Sequence, residues 1–393
     1  MIGAVATFRQ EQRSSARRMP QILDHHLLVT MLTLLALGLV MVGSASIGIA
    51  DRQTGEPFYY LFRQGGFVAL GLMLGVVAYH IPLHFWQRMG VPLLLLSLVM
   101  LALLLIPGLG RNVNGATRWL NLVVFNLQVS EVSKLAVIIY LAGYLVRHAE
   151  AVRSTVGGFL KPMGLIVLAV VLLLLEPDFG ASVVIIATAM GMLFLGGVQL
   201  WLFGVLLLVA LLLLALLAVS APYRMERLTT FLNPWADPFD SGFQLTQSLI
   251  AIGRGEWFGV GLGGSVQKLF YLPEAHTDFV FAVLAEELGL LGAMVVVGLF
   301  AYLVWRMFLI GRRAATEGDL FAAYLVFGIS LWVALQAFIN IGVNMGLLPT
   351  KGLTLPLMSY GGSSMMVMCV AMAIVLRADA DQRRGASVSG REA

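Results

Sequence analysis

The first feature of this sequence is how little charge it carries. Asp, Glu, Lys and Arg make up 12% of its 393 residues, and hydrophobic residues make up 59%. A soluble domain has about 25% charged and about 45–50% apolar residues. The mean hydropathy of +0.90 departs in the same direction. These values exclude an ordinary soluble domain and predict an integral membrane protein.

Other absences exclude further classes of fold and of function. The chain has one cysteine, Cys369, so it has no disulfide framework. No basic patch with interleaved aromatic residues is present, which excludes a nucleic-acid partner. There is no short repeat of the solenoid kind, and there are no inverted halves of the transporter kind. The net charge of +4 is small, so the placement of the charges matters more than their sum.

Long apolar runs recur along the whole chain. A helix needs ~20 residues to cross the hydrocarbon core of a bilayer, and on this scale we predict ten spans. We therefore expect an all-α integral membrane protein, a polytopic bundle of about ten transmembrane helices. A large loop at 221–278 joins the seventh and eighth spans, and its segment 243–252 has the pattern of an amphipathic helix at the interface. The predicted spans are 27–48, 65–80, 91–107, 131–146, 162–176, 179–197, 200–220, 279–305, 320–341 and 361–377.

The orientation follows from the basic residues. Ten spans put both termini on one side, and fifteen of the 25 Lys and Arg residues lie on that side. Because short cytoplasmic loops are enriched in Lys and Arg, we predict cytoplasmic termini and an extracytoplasmic 221–278 loop. Residues 1–26 then form a cytoplasmic segment, and residues 27–377 form the transmembrane domain. Residues 378–393 have nothing to bury and are predicted to be a disordered cytoplasmic tail.

Ionisable side chains gather where the 221–278 loop meets the eighth span. Glu274, His276 and Asp278 precede the span, and Glu286 and Glu287 lie inside it. Ionisable residues in a membrane segment mark functional sites by default. Asp278 has two interpretations, as an N-cap of the eighth span or as a general base. Glu274 and His276 either act beside it or only shape the turn.

Helix geometry separates the two glutamates. In a helix that starts at Asp278, Glu286 is rotated by about 80° from Asp278, and Glu287 by about 180°. Glu286 is therefore nearer to the face of Asp278, although structural pairing stays open for both. Lys134 follows Glu131 at a spacing of three and is the natural counter-charge. Its other interpretation is a lysine that snorkels to the membrane interface.

Further cations share the predicted outer face. Arg118 and Lys351 lie in two other outer loops, and cations beside a carboxylate suggest an anionic substrate. Two other patterns are rejected. The run Gly-Val-Gly-Leu-Gly-Gly at 259–264 resembles a dinucleotide loop but has no βαβ context. The acidic cluster has no second histidine nearby, so we predict no dedicated metal site.

Four segments resemble the signatures of one bacterial family. Tyr-Leu-Pro-Glu-Ala-His-Thr-Asp at 271–278, with the apolar run that continues to 289, resembles the signature of the SEDS (shape, elongation, division and sporulation) family. Segments 114–120, 176–180 and 348–364 match three further signatures, and the likeness runs from about residue 27 to residue 377. The alanine after Pro-Glu in 271–278 and the run Pro-Thr-Lys-Gly-Leu-Thr in 348–364 resemble the FtsW-like division branch rather than the elongation branch. One departure is Val129, where the family usually has proline.

The resemblance implies a peptidoglycan glycosyltransferase that polymerises lipid II at the division septum of the bacterial inner membrane. It implies a class B penicillin-binding protein transpeptidase and other divisome membrane proteins as partners. Asp278 matches the essential aspartate of the family and Lys134 a conserved lysine, so these two are the predicted catalytic residues. No cofactor is certain, and a loosely bound divalent cation (Mg or Mn) is one option. The predicted substrate-binding residues are Arg118, Glu131, His276, Glu274, Lys351 and Glu286.

The chemistry needs one base. Asp278 would accept the proton of the acceptor hydroxyl, and the pyrophosphate would leave as an anion, so no second acid is needed. Lys134, Arg118 or Lys351 would supply positive charge at the pyrophosphate. The alternatives are a lipid II flippase, which needs a polar path through the midplane, and a scaffold for the transpeptidase. The polar groups gather on the outer face, which favours the enzyme.

Overall fold

The computed structural model describes residues 23–113, 116–122, 125–219, 230–240, 242–269, 271–350 and 352–392. Eight helices in these ranges are long and apolar enough to cross a membrane, and two shorter apolar helices accompany them. All ten lie at the predicted spans, so the chain is a multi-pass membrane protein built as a helical bundle. The helices are α1 (His25–Thr54), α2 (Tyr59–His80), α3 (Leu83–Leu104), α4 (Val129–Arg147), α5 (Ala149–Ser154), α6 (Val156–Leu175), α7 (Phe179–Leu195), α8 (Leu200–Val219), α9 (Phe243–Gly255), α10 (Val280–Thr316), α11 (Leu320–Asn344) and α12 (Gly362–Glu392).

Helix α4 occupies the centre of the bundle. It packs against α3, α7 and α11, and 89% of its most apolar stretch is buried within the protein. The corresponding share for α2 is 28%, because most of that helix faces outward. The charged residues near the start of α4, Glu131 and Lys134, are therefore buried inside the protein and need partners there.

Aspartates begin three of the helices. The side chains of Asp24, Asp178 and Asp319 accept the backbone N–H three residues further on, at 3.0, 3.2 and 3.0 Å, and so start α1, α7 and α11. Such a cap satisfies one of the four N–H groups that a helix start leaves without a partner. Helix α10 differs, because its N-cap residue is Phe279 and no side chain of its own caps it.

A small antiparallel sheet packs on the bundle in a region that was predicted only as a loop. Its strands are hydrogen-bonded in the order β1-β2-β3. The N–H of Gln128 donates to the Oγ of Ser363 at 2.9 Å, and this hydroxyl donates to the carbonyl of Asn126 at 2.9 Å. These bonds tie the sheet to the start of α12. The strands are β1 (Gly110–Val113), β2 (Ala116–Leu122) and β3 (Phe125–Gln128).

Helix α10 is broken inside its span. Gly289 has φ +67° and ψ −169°, so the regular hydrogen bonds stop on either side of it. The loop after α9 fills the gap and pairs with the backbone groups that the break exposes. A backbone N–H or C=O group at the break would cost free energy if it stayed unpaired inside a membrane. The pairs are Val260 N with Glu286 O, Gly261 N with Glu287 O, Leu290 N with Glu256 O and Leu291 N with Trp257 O, at 2.9 to 3.2 Å.

Two glycines make this close approach possible. A Cβ on Gly259 would lie 2.2 Å from the carbonyl oxygen of Glu287, and one on Gly289 would lie 2.4 Å from the nitrogen of Gly259. Both glycines also have positive φ, where other residues are strained. The glycine run at 259–264, rejected above as a dinucleotide loop, therefore serves to fit the loop against α10.

The end of α12 differs from the sequence expectation. The helix continues to Glu392, whereas the sequence predicts a disordered tail from residue 378. Arg377 pairs with Asp381 at 2.9 Å, and Arg383 pairs with Asp379 at 2.6 Å. These pairs, four residues apart, support a helix beyond the apolar run.

The 221–278 loop and the N-terminal segment lie only partly within the described residues. Segment 243–252 is helical, as predicted, and forms most of α9. Residues 1–22, 220–229, 241 and 270 lie outside the described residues. The predictions for most of the 1–26 segment and for part of the loop therefore stay predictions.

Candidate active site

Asp278 lies on the loop that leads into α10. Its side chain is partly buried, and no hydrogen bond to its carboxylate is seen within the described ranges. A Cβ on Gly352 would lie 3.2 Å from Oδ2, so the carboxylate lies against the loop that precedes α12. Burial raises the pKa of Asp278 to about 7, Glu274 adds to the rise, and Arg118 opposes it. A free carboxylate with this pKa suits a general base at neutral pH.

The backbone of Asp278 is held from α11. Its carbonyl accepts the Nδ2 amides of Asn340 and Asn344, at 2.9 and 3.0 Å. The Oδ1 of Asn344 accepts the N–H of Ala282 at 3.0 Å. Both asparagines are buried. These bonds fix the backbone where the loop joins α10 and leave the carboxylate of Asp278 unused.

Arg118, on β2, brings positive charge to the same place. Its Nη2 donates to the carbonyl of Pro177, in the turn between α6 and α7. Burial raises the pKa of Glu176 to about 8, Asp178 adds to the rise, and Arg118 opposes it as it does at Asp278. The Nε of Arg118 and one oxygen each of Glu176 and Asp178 are buried without a hydrogen-bond partner in the described part of the chain. Unpaired polar atoms of this kind are places for water or for polar groups of a ligand.

Lys134 and Glu131 lie inside the bundle. The Nζ of Lys134 donates to Glu131 Oε1 at 2.9 Å and to Gln336 Oε1 at 2.7 Å, and both charged side chains are at most 5% exposed. The Nε2 of Gln336 donates to the carbonyl of Thr354 at 3.0 Å. Lys134 thus orients Gln336, and Gln336 holds the loop that lies against the candidate base. The predicted contact of Lys134 with a substrate stays a prediction, and two of the three N–H donors of its ammonium group are already used in these bonds.

His276 belongs to an aromatic cluster. Its ring centroid lies 4.7 Å from that of Tyr60 and 5.4 Å from that of Tyr360, and its carbonyl accepts the N–H of Tyr360 at 2.9 Å. Burial lowers the pKa of His276, and Glu274 opposes this. Glu274 is exposed and accepts the hydroxyl of Thr277 at 2.8 Å. These contacts shape the turn before the candidate base.

Glu286 and Glu287 anchor the loop after α9 to α10. Both are fully buried, and they have separate partners, as their helical angles predict. Glu287 pairs with Lys268 at 2.7 Å and with the hydroxyl of Ser44 at 2.6 Å. The structure therefore places Glu286 in this anchor and not among the groups that act on the candidate base. The donors to Glu286 are Arg254 Nη1 (3.2 Å), Ser265 Oγ (2.5 Å), Val266 N (3.1 Å) and Gln267 N (3.4 Å).

The structure thus brings Arg118, Glu274 and His276 around the loop of Asp278. It links Lys134 and Glu131, through Gln336, to the loop before α12 that lies against Asp278, and Lys351 lies outside the described residues. Three amides that organise the site were not predicted from the sequence. Their signal was recurrence every four residues in an apolar span, which puts polar side chains on one helix face. The three are Gln336, Asn340 and Asn344.

Comparison with known proteins identifies the family. Residues 25–384 match the model of the FtsW, RodA and SpoVE cell cycle proteins, and this range contains every described site residue. The chain belongs to this family. A probable peptidoglycan glycosyltransferase FtsW of Thioalkalivibrio sulfidiphilus is 61% identical over 360 residues, which cover 92% of this chain and 90% of that protein. A probable peptidoglycan glycosyltransferase FtsW of Nitrosococcus halophilus is 59% identical over 360 residues, which cover 92% of this chain and 93% of that protein.

Solved structures of the family have the same fold. A chain from a peptidoglycan synthase complex, studied for the coordination of polymerization and crosslinking, is similar with a TM-score of 0.74 and 32% identity. The match covers 92% of this chain and 98% of that one. The rod shape determining protein RodA of Thermus thermophilus is similar with a TM-score of 0.69 and 29% identity, covering 92% and 97% of the two chains.

Proposed function

We propose that this chain is a peptidoglycan glycosyltransferase that polymerises lipid II into glycan strands during septal cell-wall synthesis. The observation that carries the proposal is the free carboxylate of Asp278, with a pKa of about 7, in the field of Arg118. The names of the relatives support the same activity, because both are probable peptidoglycan glycosyltransferases.

Asp278 acts as the general base. It accepts the proton of the acceptor sugar hydroxyl as that oxygen attacks the anomeric carbon of the donor. The new glycosidic bond forms while the bond to the pyrophosphate breaks, and undecaprenyl pyrophosphate leaves with the electron pair. The proton then passes from Asp278 to water. Attack opposite the leaving group inverts the anomeric carbon.

The leaving pyrophosphate needs positive charge, which a preorganised site supplies best. Arg118 is close enough to lower the pKa of Asp278 and is the cation that we assign to this role, with Lys351 as the second. Lys134 acts through Gln336, which it orients, and stabilises the loop beside the base.

A divalent cation remains part of the proposal as a ligand of the substrate. The described residues include no group of three or more His, Cys, Asp or Glu side chains that could hold a metal ion. A loosely bound Mg or Mn ion would act together with Arg118 at the pyrophosphate. It would neutralise charge on the leaving group, while Asp278 would still take the proton.

The membrane setting of the reaction is part of the same proposal. We propose that both termini are cytoplasmic and that the sheet and the Asp278 loop face the extracytoplasmic space at the division septum. A class B penicillin-binding protein would cross-link the strands, and other divisome membrane proteins would join them. The similar chain from a complex that coordinates polymerization and crosslinking supports the first partner.

The experiment is an incubation of the purified full-length protein with lipid II, with and without a class B penicillin-binding protein. We expect glycan strands on a gel. The same protein in vesicles tests the alternative, because a flippase would move lipid II across the membrane. Translocation without any polymer would overturn the proposal in favour of the flippase.

A further inference from the structure

Helix α10 is capped by a residue of another helix. The cap is normally the side chain of the N-cap residue, which accepts an N–H of the first turn. At α10 the N-cap residue is Phe279, and the Oδ1 of Asn344 on α11 accepts the N–H of Ala282 at 3.0 Å. The two bonded residues are 62 positions apart in the chain.

The same asparagine also fixes Asp278. Its Nδ2 donates to the carbonyl of Asp278 at 3.0 Å and to the carbonyl of Asn340 at 2.8 Å. The carbonyl of Asn344 accepts the hydroxyl of Ser248 on α9 at 2.8 Å. Asn344 is fully buried, and both ends of its amide are used, so its orientation is fixed.

We infer that Asn344 is a positioning residue for the transfer reaction, because it caps α10 and so keeps the Asp278 carboxylate free for the proton of the substrate. The inference rests on the proposed role of Asp278 as the base. Aspartate is one of the best N-cap residues, and Asp278 is next to the N-cap position.

Without Asn344, the Ala282 N–H retains only its 3.0 Å bond to the carbonyl of Phe279, and the N–H groups of the first turn of α10 can then bind the Asp278 carboxylate. A carboxylate that accepts such bonds turns toward the helix, and its ionised form is stabilised. The base would then be misplaced and less basic. The charged groups that act on Asp278 in the described part of the chain are Glu274, from the same loop, and Arg118, from β2.

Asn340 provides a matched comparison. It also donates to the carbonyl of Asp278, at 2.9 Å, and to the carbonyl of Leu353, but it caps no helix. Ser330 is a neutral control on the same helix, because it is buried and its hydroxyl bonds, within the described residues, to the carbonyl of Val326.

The test measures kcat and KM for lipid II across the neutral pH range, with purified full-length variants. For Asn344→Ala we expect a kcat lower by roughly a hundredfold with little change in KM. The acid limb of the kcat profile should also move to lower pH, by about half a unit or more. Asn340→Ala should lower kcat and leave the acid limb in place, and Ser330→Ala should change neither.

Asn344→Asp should shift the acid limb of the kcat profile in the opposite direction. The new carboxylate can accept the Ala282 N–H, and its position at a helix start favours the ionised form. Its negative charge beside Asp278 should move the acid limb to higher pH. The new charge alone raises the acid limb, so the informative result is the contrast in direction: this variant keeps the cap, and its acid limb should not move to lower pH as that of Asn344→Ala does. If Asn344→Ala does not fold, Asn344→Ser, whose shorter side chain lacks the amide, takes its place with the same expected shift to lower pH.

The outcomes separate this inference from the proposed function. An acid limb that stays at the wild-type pH in the Asn344 variants overturns the inference, provided that Asp278→Asn is inactive. If Asp278→Asn polymerises lipid II at the wild-type rate, the proposed function falls, and the inference falls with it.

Discussion

The Nζ of Lys134 lies 2.7 Å from the Oε1 of Gln336, an oxygen that also accepts the indole N–H of Trp332 at 2.8 Å. One side-chain oxygen thus joins α4 to α11 at the centre of the bundle. The other end of this amide donates to the carbonyl of Thr354. A change at Lys134 therefore reaches the loop beside the candidate base through a single residue.

Lys134→Met should destabilise the protein strongly. It leaves the carboxylate of Glu131 buried without its cation, which costs about 3–5 kcal/mol in comparable cases. The double variant Glu131→Gln with Lys134→Met should recover most of that loss, because no buried charge is left alone. Thermal unfolding in detergent measures both. A single variant as stable as the wild type would show that the pair does not hold α4 in place.

Gly289→Ala should disrupt the fit of the loop into α10. The new Cβ would lie 2.4 Å from the nitrogen of Gly259, and the residue would have to keep a φ of +67°. We expect a large loss of thermal stability and of polymerisation. Gly298→Ala on the same helix is the matched control, because its Cβ would meet nothing within 4 Å. There alanine should stabilise slightly, by roughly 0.5–1 kcal/mol. Equal behaviour of the two variants would contradict the account of the break.

Glu176→Gln should make the stability less dependent on pH. Burial raises the pKa of Glu176 from 4.5 to about 8, so the folded protein keeps a proton that the unfolded chain releases. Its contribution to stability is fully present below pH 4.5 and is lost as the pH rises through about 8. Across this window the unfolding temperature of the wild type should fall more than that of the variant. Glu150→Gln, at an exposed position, should follow the wild type. Parallel curves for Glu176→Gln and the wild type would refute the assignment.

The ten spans could be predicted because a long apolar run has few structures available in lipid. The break at Gly289 could not. The run that contains it is continuous in apolar residues, and the break depends on a loop some thirty residues earlier. The sheet was missed for a related reason, because short strands of mixed residues resemble loop sequence until they pair.

The same holds for single residues of the candidate site: a residue whose partners come from a distant segment could not be predicted from the sequence. The cluster of ionisable groups was sufficient to predict Asp278 and Arg118 as neighbours in function. Local rules also allowed Asp278 to be a helix cap, and they could not detect that Asn344 takes that place from another helix. Glu286 was predicted to bind substrate because of its helical angle to Asp278, but it is hydrogen-bonded by the loop that contains Ser265.

The most direct measurement for the whole account is the rate of glycan-strand formation by Asp278→Asn. Asparagine keeps the shape of the side chain and cannot take the proton of the acceptor hydroxyl. We expect a rate lower by roughly 10²–10⁴-fold, with normal membrane insertion and unfolding temperature. The wild-type rate should rise with pH through about 7, as the carboxyl group of Asp278 ionises. Strand formation by Asp278→Asn at the wild-type rate would show that Asp278 is not the base.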